Sequence, residues 1–333
     1  MTAAGPRLSS RGRTGDAFRR TVRRNGWTVG LVGLLIAFLA FTKMLAPNYG
    51  PTQIESLAIS ALPLAMAAVG QAIVVISGGI DLSVGSMMAF TSVSAAILMQ
   101  GQSEEFAVLV VIGILLMGLV LGLINGILVV TTRVPDIVVT LAMLFVWAGA
   151  ALLVLNRPGG GAADWLMASI DGNFGTPFLP RALVVLIVIV AVAWLPVVRS
   201  GLAVELYAVG SNRLAAFRSG VPVNRTKVLA YVLTGFFAAA GGLALTASTG
   251  SAQPIQGQYT VQSVAAIVLG GVSLAGGRGN LVGPILAVFI LSLVRTDLTF
   301  MGVNPSLSTS IQGLILVGVV MFGAIITFRR RRA

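Results

Sequence analysis

The chain has 333 residues, of which 56% are hydrophobic and 10% charged, and its mean hydropathy is +0.97. A soluble domain carries about 25% charged residues, so this composition cannot cover a water-facing globule, and the solvent it fits is lipid. The balance of 22 Lys+Arg against 10 Asp+Glu excludes nucleic acid rather than suggesting it, because the basic residues gather at the chain ends and form no interior basic stripe.

There is no Cys and no His. Disulfides, thiol chemistry, histidine general bases and the usual zinc, haem and iron–sulfur sites are therefore excluded. The two lysines, Lys43 and Lys227, do not follow the glycines of a phosphate-binding loop. If ATP drives this protein, another chain binds it.

Seven arginines (Arg7, Arg11, Arg13, Arg19, Arg20, Arg23, Arg24) precede the first apolar run, Trp27 to Ala46. That run is long enough to cross roughly 30 Å of hydrocarbon and too long for a secretory signal core, so it reads as a retained first helix. Apolar runs then predict ten membrane segments: 27–46, 54–76, 87–99, 106–131, 137–155, 182–198, 228–249, 261–275, 281–298 and 311–327. The third and eighth are short for a full span. An even count places the arginine-rich N-terminus and Arg329 to Arg332 on one side, as the positive-inside rule asks.

The expected fold is an all-α integral membrane protein with about ten transmembrane helices and Gly-rich broken or re-entrant elements. A basic cytoplasmic tail (1–26), a transmembrane domain (27–327) and a second basic cytoplasmic tail (328–333) make up the chain. The inside loops are 77–86, 132–136, 199–227 and 276–280, and the longest holds Arg199, Arg213, Arg218, Arg225 and Lys227 against Glu205.

Two glycine clusters interrupt the pattern. Ser77-Gly78-Gly79-Ile80-Asp81-Leu82-Ser83-Val84-Gly85 follows Ala72 to Val75, and Gly270-Gly271-Val272-Ser273 follows the similar run Ala266 to Leu269. Paired interruptions in two halves point to a transport path, because freed backbone groups at membrane depth must line a cavity or pack in protein. The alternative is a tight cytoplasmic turn that needs glycine. Asp81 either caps a helix starting near Leu82, the preferred reading, or meets a solute as an intramembrane acid.

Asn125 either bonds across helices or faces a polar path. Gly118, Gly122 and Gly126, four apart, predict a flat face for close helix packing. Thr140, in the first turns of the fifth segment, bonds its own helix backbone or lines the path. Asp136 sits in that helix's first turn, where negative charge is favourable. In the long inside loop, Asn212 reads as an N-cap and Gly220 as a helix stop followed by Pro222. The short helix between them, Arg213 to Ser219, would present Leu214 and Phe217 on one side, for a partner's groove or the headgroups.

Taken in order, these motifs resemble the permease subunits of bacterial ATP-binding-cassette importers of the ribose and related monosaccharide group. The resemblance runs from roughly Ile54 to Phe322. Its anchors are Ser77 to Gly85, Asn125-Gly126, Thr140-Leu141, Tyr207 to Asn212, Ala215-Ala216, Ser219-Gly220-Val221 and Ala265 to Leu274. Departures are Gln258 to Ser263, which lacks the family's acid, Asp136 in place of an aromatic residue, and Ala142 in place of glycine.

The resemblance implies a permease domain without its own ATPase site in a bacterial inner membrane, working as a homodimer. The partners implied are a cytoplasmic ATP-binding-cassette ATPase that holds the ATP and magnesium, and an extracytoplasmic sugar-binding protein. Gly210, Asn212, Arg213, Ala215, Ala216, Phe217 and Gly220 would couple to the ATPase. Gly78, Gly79, Asp81, Ser83, Gly85, Asn125, Thr140, Gly270, Gly271 and Ser273 would form the path or its broken-helix elements. A ribose-like sugar is the expected solute. Permeases for branched amino acids, nucleosides or autoinducer are the alternatives within the family, and a stand-alone facilitator is the alternative outside it.

Overall fold

The computed structural model describes residues 26–255, 257–304 and, further on, 307, 308, 310, 311, 313, 314, 318 and 321. The tail 1–25, most of the tenth expected segment and the tail 328–333 lie outside the described residues. The helices are α1 (Gly26–Leu45), α2 (Pro51–Ile76), α3 (Val84–Met99), α4 (Glu104–Thr132), α5 (Asp136–Val154) and α6 (Asp164–Ile170). They continue as α7 (Arg181–Arg199), α8 (Leu202–Ser211), α9 (Arg213–Arg218), α10 (Val223–Thr249), α11 (Gln258–Leu269) and α12 (Val282–Phe300).

Among the described residues, seven helices (α1, α2, α4, α5, α7, α10 and α12) are long and apolar enough to cross a membrane. The chain is an all-helical, multi-pass membrane protein. The two segments that looked short are short helices, α3 with 16 residues and α11 with 12. Some boundaries move. The third segment begins at Val84 rather than at 87, and the eighth ends at Leu269 rather than at 275, because Gly271 takes a left-handed conformation (φ +83°) that stops it. Helices α6 and α8 lie in stretches read as loops.

α2 and α10 form the centre. Buried residues make up 89% and 72% of their most apolar stretches, against 17% in the peripheral α7. The reason is in the side chains: both central helices are rich in Ala, and α10 adds Gly235, Gly241 and Gly242, which let neighbours approach. The glycine face of α4 packs on α10 as expected. A Cβ on Gly126 would lie 2.9 Å from Val228 Cα, one on Gly122 would strike the Tyr231 carbonyl, and one on Gly118 would strike Gly235. Hydroxyls add interhelical bonds: Thr234 donates to Gly70 O at 2.8 Å, and Ser92 and Thr246 share one at 2.9 Å.

Polar contacts fix the opposite end of the bundle. Glu104, at the start of α4, accepts from the backbone N–H of Asp164 (3.2 Å) and Trp165 (3.3 Å), and so caps α6. Glu55 of α2 accepts from Gly172 N (2.6 Å) and Asn173 Nδ2 (3.0 Å).

Candidate functional site

The two glycine interruptions share one backbone ending. After α2, Gly78 N donates to Val75 O (2.9 Å) and Gly79 N to Val74 O (3.0 Å), with Gly78 at φ +79°. After α11, Gly271 N donates to Val268 O (3.0 Å) and Val272 N to Ile267 O (2.9 Å), with Gly271 at φ +83°. Both are Schellman endings, which need a residue free to enter the left-handed region. The weak internal repeat of the sequence is thus a repeat of backbone geometry.

The first break, residues 77–83, sits inside the protein. Asp81, Ser83 and Asn125 are fully buried. Asp81 does not cap α3 in the expected way. The helix begins at Val84, and Asp81 lies too far ahead of it to reach the helical N–H groups. Its Oδ1 instead accepts from Ser83 N (2.8 Å) and Ser83 Oγ (2.7 Å), closing a local turn. Asn125 Nδ2 donates to Ser83 Oγ (2.8 Å), and Trp147 Nε1 donates to Asn125 Oδ1 (3.2 Å). A directional chain of donors therefore runs Trp147, Asn125, Ser83, Asp81 and joins α5, α4 and the break. Such chains reinforce one another in a dry interior.

Two threonines clamp the same break from opposite sides. Thr140 Oγ1 of α5 accepts from Leu82 N (3.1 Å) and lies 3.2 Å from Ile80 O and 3.0 Å from Asp136 O. Thr260 Oγ1 of α11 accepts from Gly85 N (3.0 Å) and donates to Leu82 O (3.2 Å). Both of Leu82's backbone polar groups are thereby satisfied by hydroxyls from other helices, as buried backbone requires.

The second break is held differently. Ser273 N donates to Arg278 O (3.0 Å), which closes the loop on itself. Trp27 Nε1 of α1 donates to Leu269 O (3.0 Å), and its ring lies where a Cβ on Gly271 would go. Gly270 packs face to face with Gly283 and Pro284 at the start of α12.

α8 touches both breaks. A Cβ on Gly210 would collide with the Ile76 carbonyl and come within 2.6 Å of Gly277 N. Gly277 N itself donates to Ile76 O at 2.9 Å. A Cβ on Gly276 would come within 2.9 Å of Gly78 Cα. The end of α8 is thus seated where α2 and the second break meet. Tyr207 Oη donates to Gly279 O at 2.8 Å. Burial pushes the Tyr207 phenol above its ordinary pKa.

One residue, Asn212, separates α8 from α9. Its Oδ1 accepts from Ala215 N at 2.9 Å, and Gly220 follows α9 at φ +83°. The capped two-turn helix expected from the sequence is present. Ala216 is buried against Val209 and Val223, whereas Leu214 and Phe217 are 57% and 69% exposed. A groove of about 720 Å³ lies beside them, lined also by Arg213, Pro222 and Arg225.

The structure places Gly78, Gly79, Asp81 and Ser83 in the first break and brings Gly85 of α3, Asn125 of α4 and Thr140 of α5 against it. It places Gly270, Gly271 and Ser273 in the second. Arg213, Ala215, Phe217 and Gly220 are surface residues of the α9 region, and Gly210 faces inward onto both breaks. Sequence reasoning missed Thr260, Trp147, Trp27 and Tyr231. Their type is ordinary in apolar helices, and only a contact partner far along the chain gives them a role.

An apolar helical bundle, with two glycine turns ending membrane helices and a short capped helix projecting beside a groove, suits a membrane permease subunit. The family described as branched-chain amino acid transport system, permease component, matches residues 53–320, and the chain belongs to it. The chain is similar to the autoinducer 2 import system permease protein LsrD of Escherichia coli (strain K12) and of Shigella flexneri. Each is 31% identical over 324 residues, covering 93% of this chain and 95% of the relative. The protein of the same name from Escherichia coli O157:H7 is 30% identical over the same shares. No solved structure matches the chain.

Proposed function

We propose that this chain is the pore-forming subunit of an ATP-driven importer whose ATPase is a separate cytoplasmic polypeptide. The observation that carries it is the α8–α9 elbow. α9 exposes Leu214 and Phe217 beside an arginine-edged groove, and α8, one residue away, is wedged by Gly210 against both breaks. A partner seated on α9 would push on the elements that interrupt the membrane helices. Alternating access then follows by rocking helices around the breaks. In this arrangement α9, both breaks and both termini face the cytoplasm, and a soluble binding protein delivers solute at the α6 end. Two copies form the pathway, and the exposed apolar faces of α4 and α5 meet lipid or the second copy.

The solute is small and neutral. Only 10% of the chain is charged, and within the described bundle Lys227 and Asp136 neutralise each other at 2.7 Å, which suits a neutral solute. The similarity to autoinducer 2 import permeases puts that compound first and ribose second. The test is a mild-detergent pull-down of the tagged chain from its native membranes, followed by reconstitution of the recovered proteins with each radiolabelled solute. Co-purification of a Walker-motif ATPase and ATP-dependent uptake are expected. Downhill flux by the chain alone, without ATP, would favour the facilitator and sink the proposal. A Leu214→Ala/Phe217→Ala variant, which alters only exposed side chains, should retain the fold and lose the coupling of hydrolysis to uptake.

A further inference from the structure

Asp136 stands where the family pattern carries an aromatic residue, and the path through the membrane gives it no task. Its carboxylate is nevertheless fully engaged. Lys227 Nζ of α10 donates to Oδ1 at 3.0 Å and to Oδ2 at 2.7 Å. Tyr231 Oη, one turn further along α10, donates to Oδ2 at 3.1 Å and lies 3.4 Å from Ile80 O. The Lys227 side chain is 7% exposed and that of Asp136 18%.

The placement of Lys227 is costly without this partner. It lies near the N-terminal end of α10, where the helix dipole favours negative charge, and a buried cation needs pairing. Asp136 also abuts the first break directly. A Cβ on Gly79 would come within 2.7 Å of Asp136 Oδ2 and 2.9 Å of Tyr231 Oη. One turn later on the same helix, Thr140 holds Ile80 and Leu82. The start of α5 therefore grips α10 with one residue and the break with another. α10 in turn begins at Val223, which lines the groove beside α9, and Thr226 ties it to α8 by donating to Glu205 Oε2 at 2.7 Å.

We propose that Asp136 is a positioning residue: with Lys227 and Tyr231 it ties the groove-bearing end of α10 to the Ile80–Leu82 segment, so that movement at the groove reaches the first break. The consequence for transport rests on the importer reading above, and the mechanical tie does not. A Cβ on Gly79 would meet both Asp136 Oδ2 and Tyr231 Oη, so the carboxylate lies between α10 and the break.

The test replaces both charges at once, because either one alone would leave a buried unpaired ion. The variant Asp136→Asn/Lys227→Met is compared with the parent in two measurements. The chain has no cysteine, so Leu82→Cys gives a unique thiol in the break, and its maleimide labelling rate in nanodiscs reports how firmly the break is held. Labelling should quicken about fivefold in the double variant, the low end of a typical coupling. In the reconstituted importer, solute moved per ATP hydrolysed should fall by about the same factor while hydrolysis continues. The charge swap Asp136→Lys/Lys227→Asp should recover part of both. Unchanged labelling overturns the proposal whatever becomes of the importer reading. Faster labelling with unchanged solute moved per ATP overturns the coupling role. A proportional loss of transport and hydrolysis, tracking the amount of folded protein, reduces the pair to a structural one and overturns it too.

Discussion

The two breaks end their helices with the same backbone bonds and are then secured by different means. The first, after α2, is fixed by side chains from four other helices: Thr140 and Tyr231 reach Ile80, Thr140 and Thr260 reach Leu82, and Asn125 reaches Ser83. The second, after α11, relies on its own backbone bond from Ser273 to Arg278, on Trp27 and Tyr207, and on glycines that let α12 and α8 approach. The lesson is that a shared glycine motif specifies how a helix stops and leaves open how tightly the stop is held. Hydroxyls and amides on distant helices decide that, and they make the first break the more strongly specified of the two.

Four substitutions can break or sharpen this contrast. Gly210→Val should do most damage, because it forces a side chain into the junction of α8 with both breaks. A cost of about 3 kcal/mol is expected for such overpacking, read as loss of monodisperse protein and of thermal stability in detergent. If Gly210→Val is tolerated, the junction is not the shared seat of the two breaks. Asn125→Leu comes next. It leaves the Trp147 N–H without its acceptor and removes the donor to Ser83 Oγ, at about 2 kcal/mol, and the melting temperature should fall accordingly.

Thr260→Val removes the acceptor of Gly85 N and the donor to Leu82 O, for about 1 kcal/mol. Hydrogen exchange at Gly85 should rise while the α12 amides stay as they were. Trp27→Phe should be mildest, losing one bond to Leu269 O at about 0.5 kcal/mol. Its place in the ranking carries the comparison: a larger melting shift for Trp27→Phe than for Asn125→Leu would reverse the assignment of the firmly held break.

Much of the local structure was legible. The length of the apolar runs located the membrane helices, since a chain with so little charge has few other ways to satisfy its backbone in lipid. Gly118, Gly122 and Gly126 announced a packing face by their spacing. Asn212 and Gly220 bracketed α9, because capping uses residues adjacent in sequence. The expectations that shifted were those needing a distant partner. Asp81 looked like a cap from its neighbours, yet the helix starts two residues later than that role needs. Gly210 was expected only among the residues that couple to the ATPase, and its contacts with Ile76 and Gly277 came from the packing of α8.

What the sequence by itself determined is therefore the medium, the helices and their local endings, together with the family. Each follows from composition, the length of apolar runs or residues close along the chain. Only the tertiary structure decided that Trp147, Asn125, Ser83 and Asp81 form one chain of donors, that Thr260 reaches across from α11, and that Asp136 meets Lys227 and Tyr231. A hydroxyl or amide in an apolar helix has no periodic signature that names its partner. Which group satisfies it depends on how helices far apart in sequence pack together.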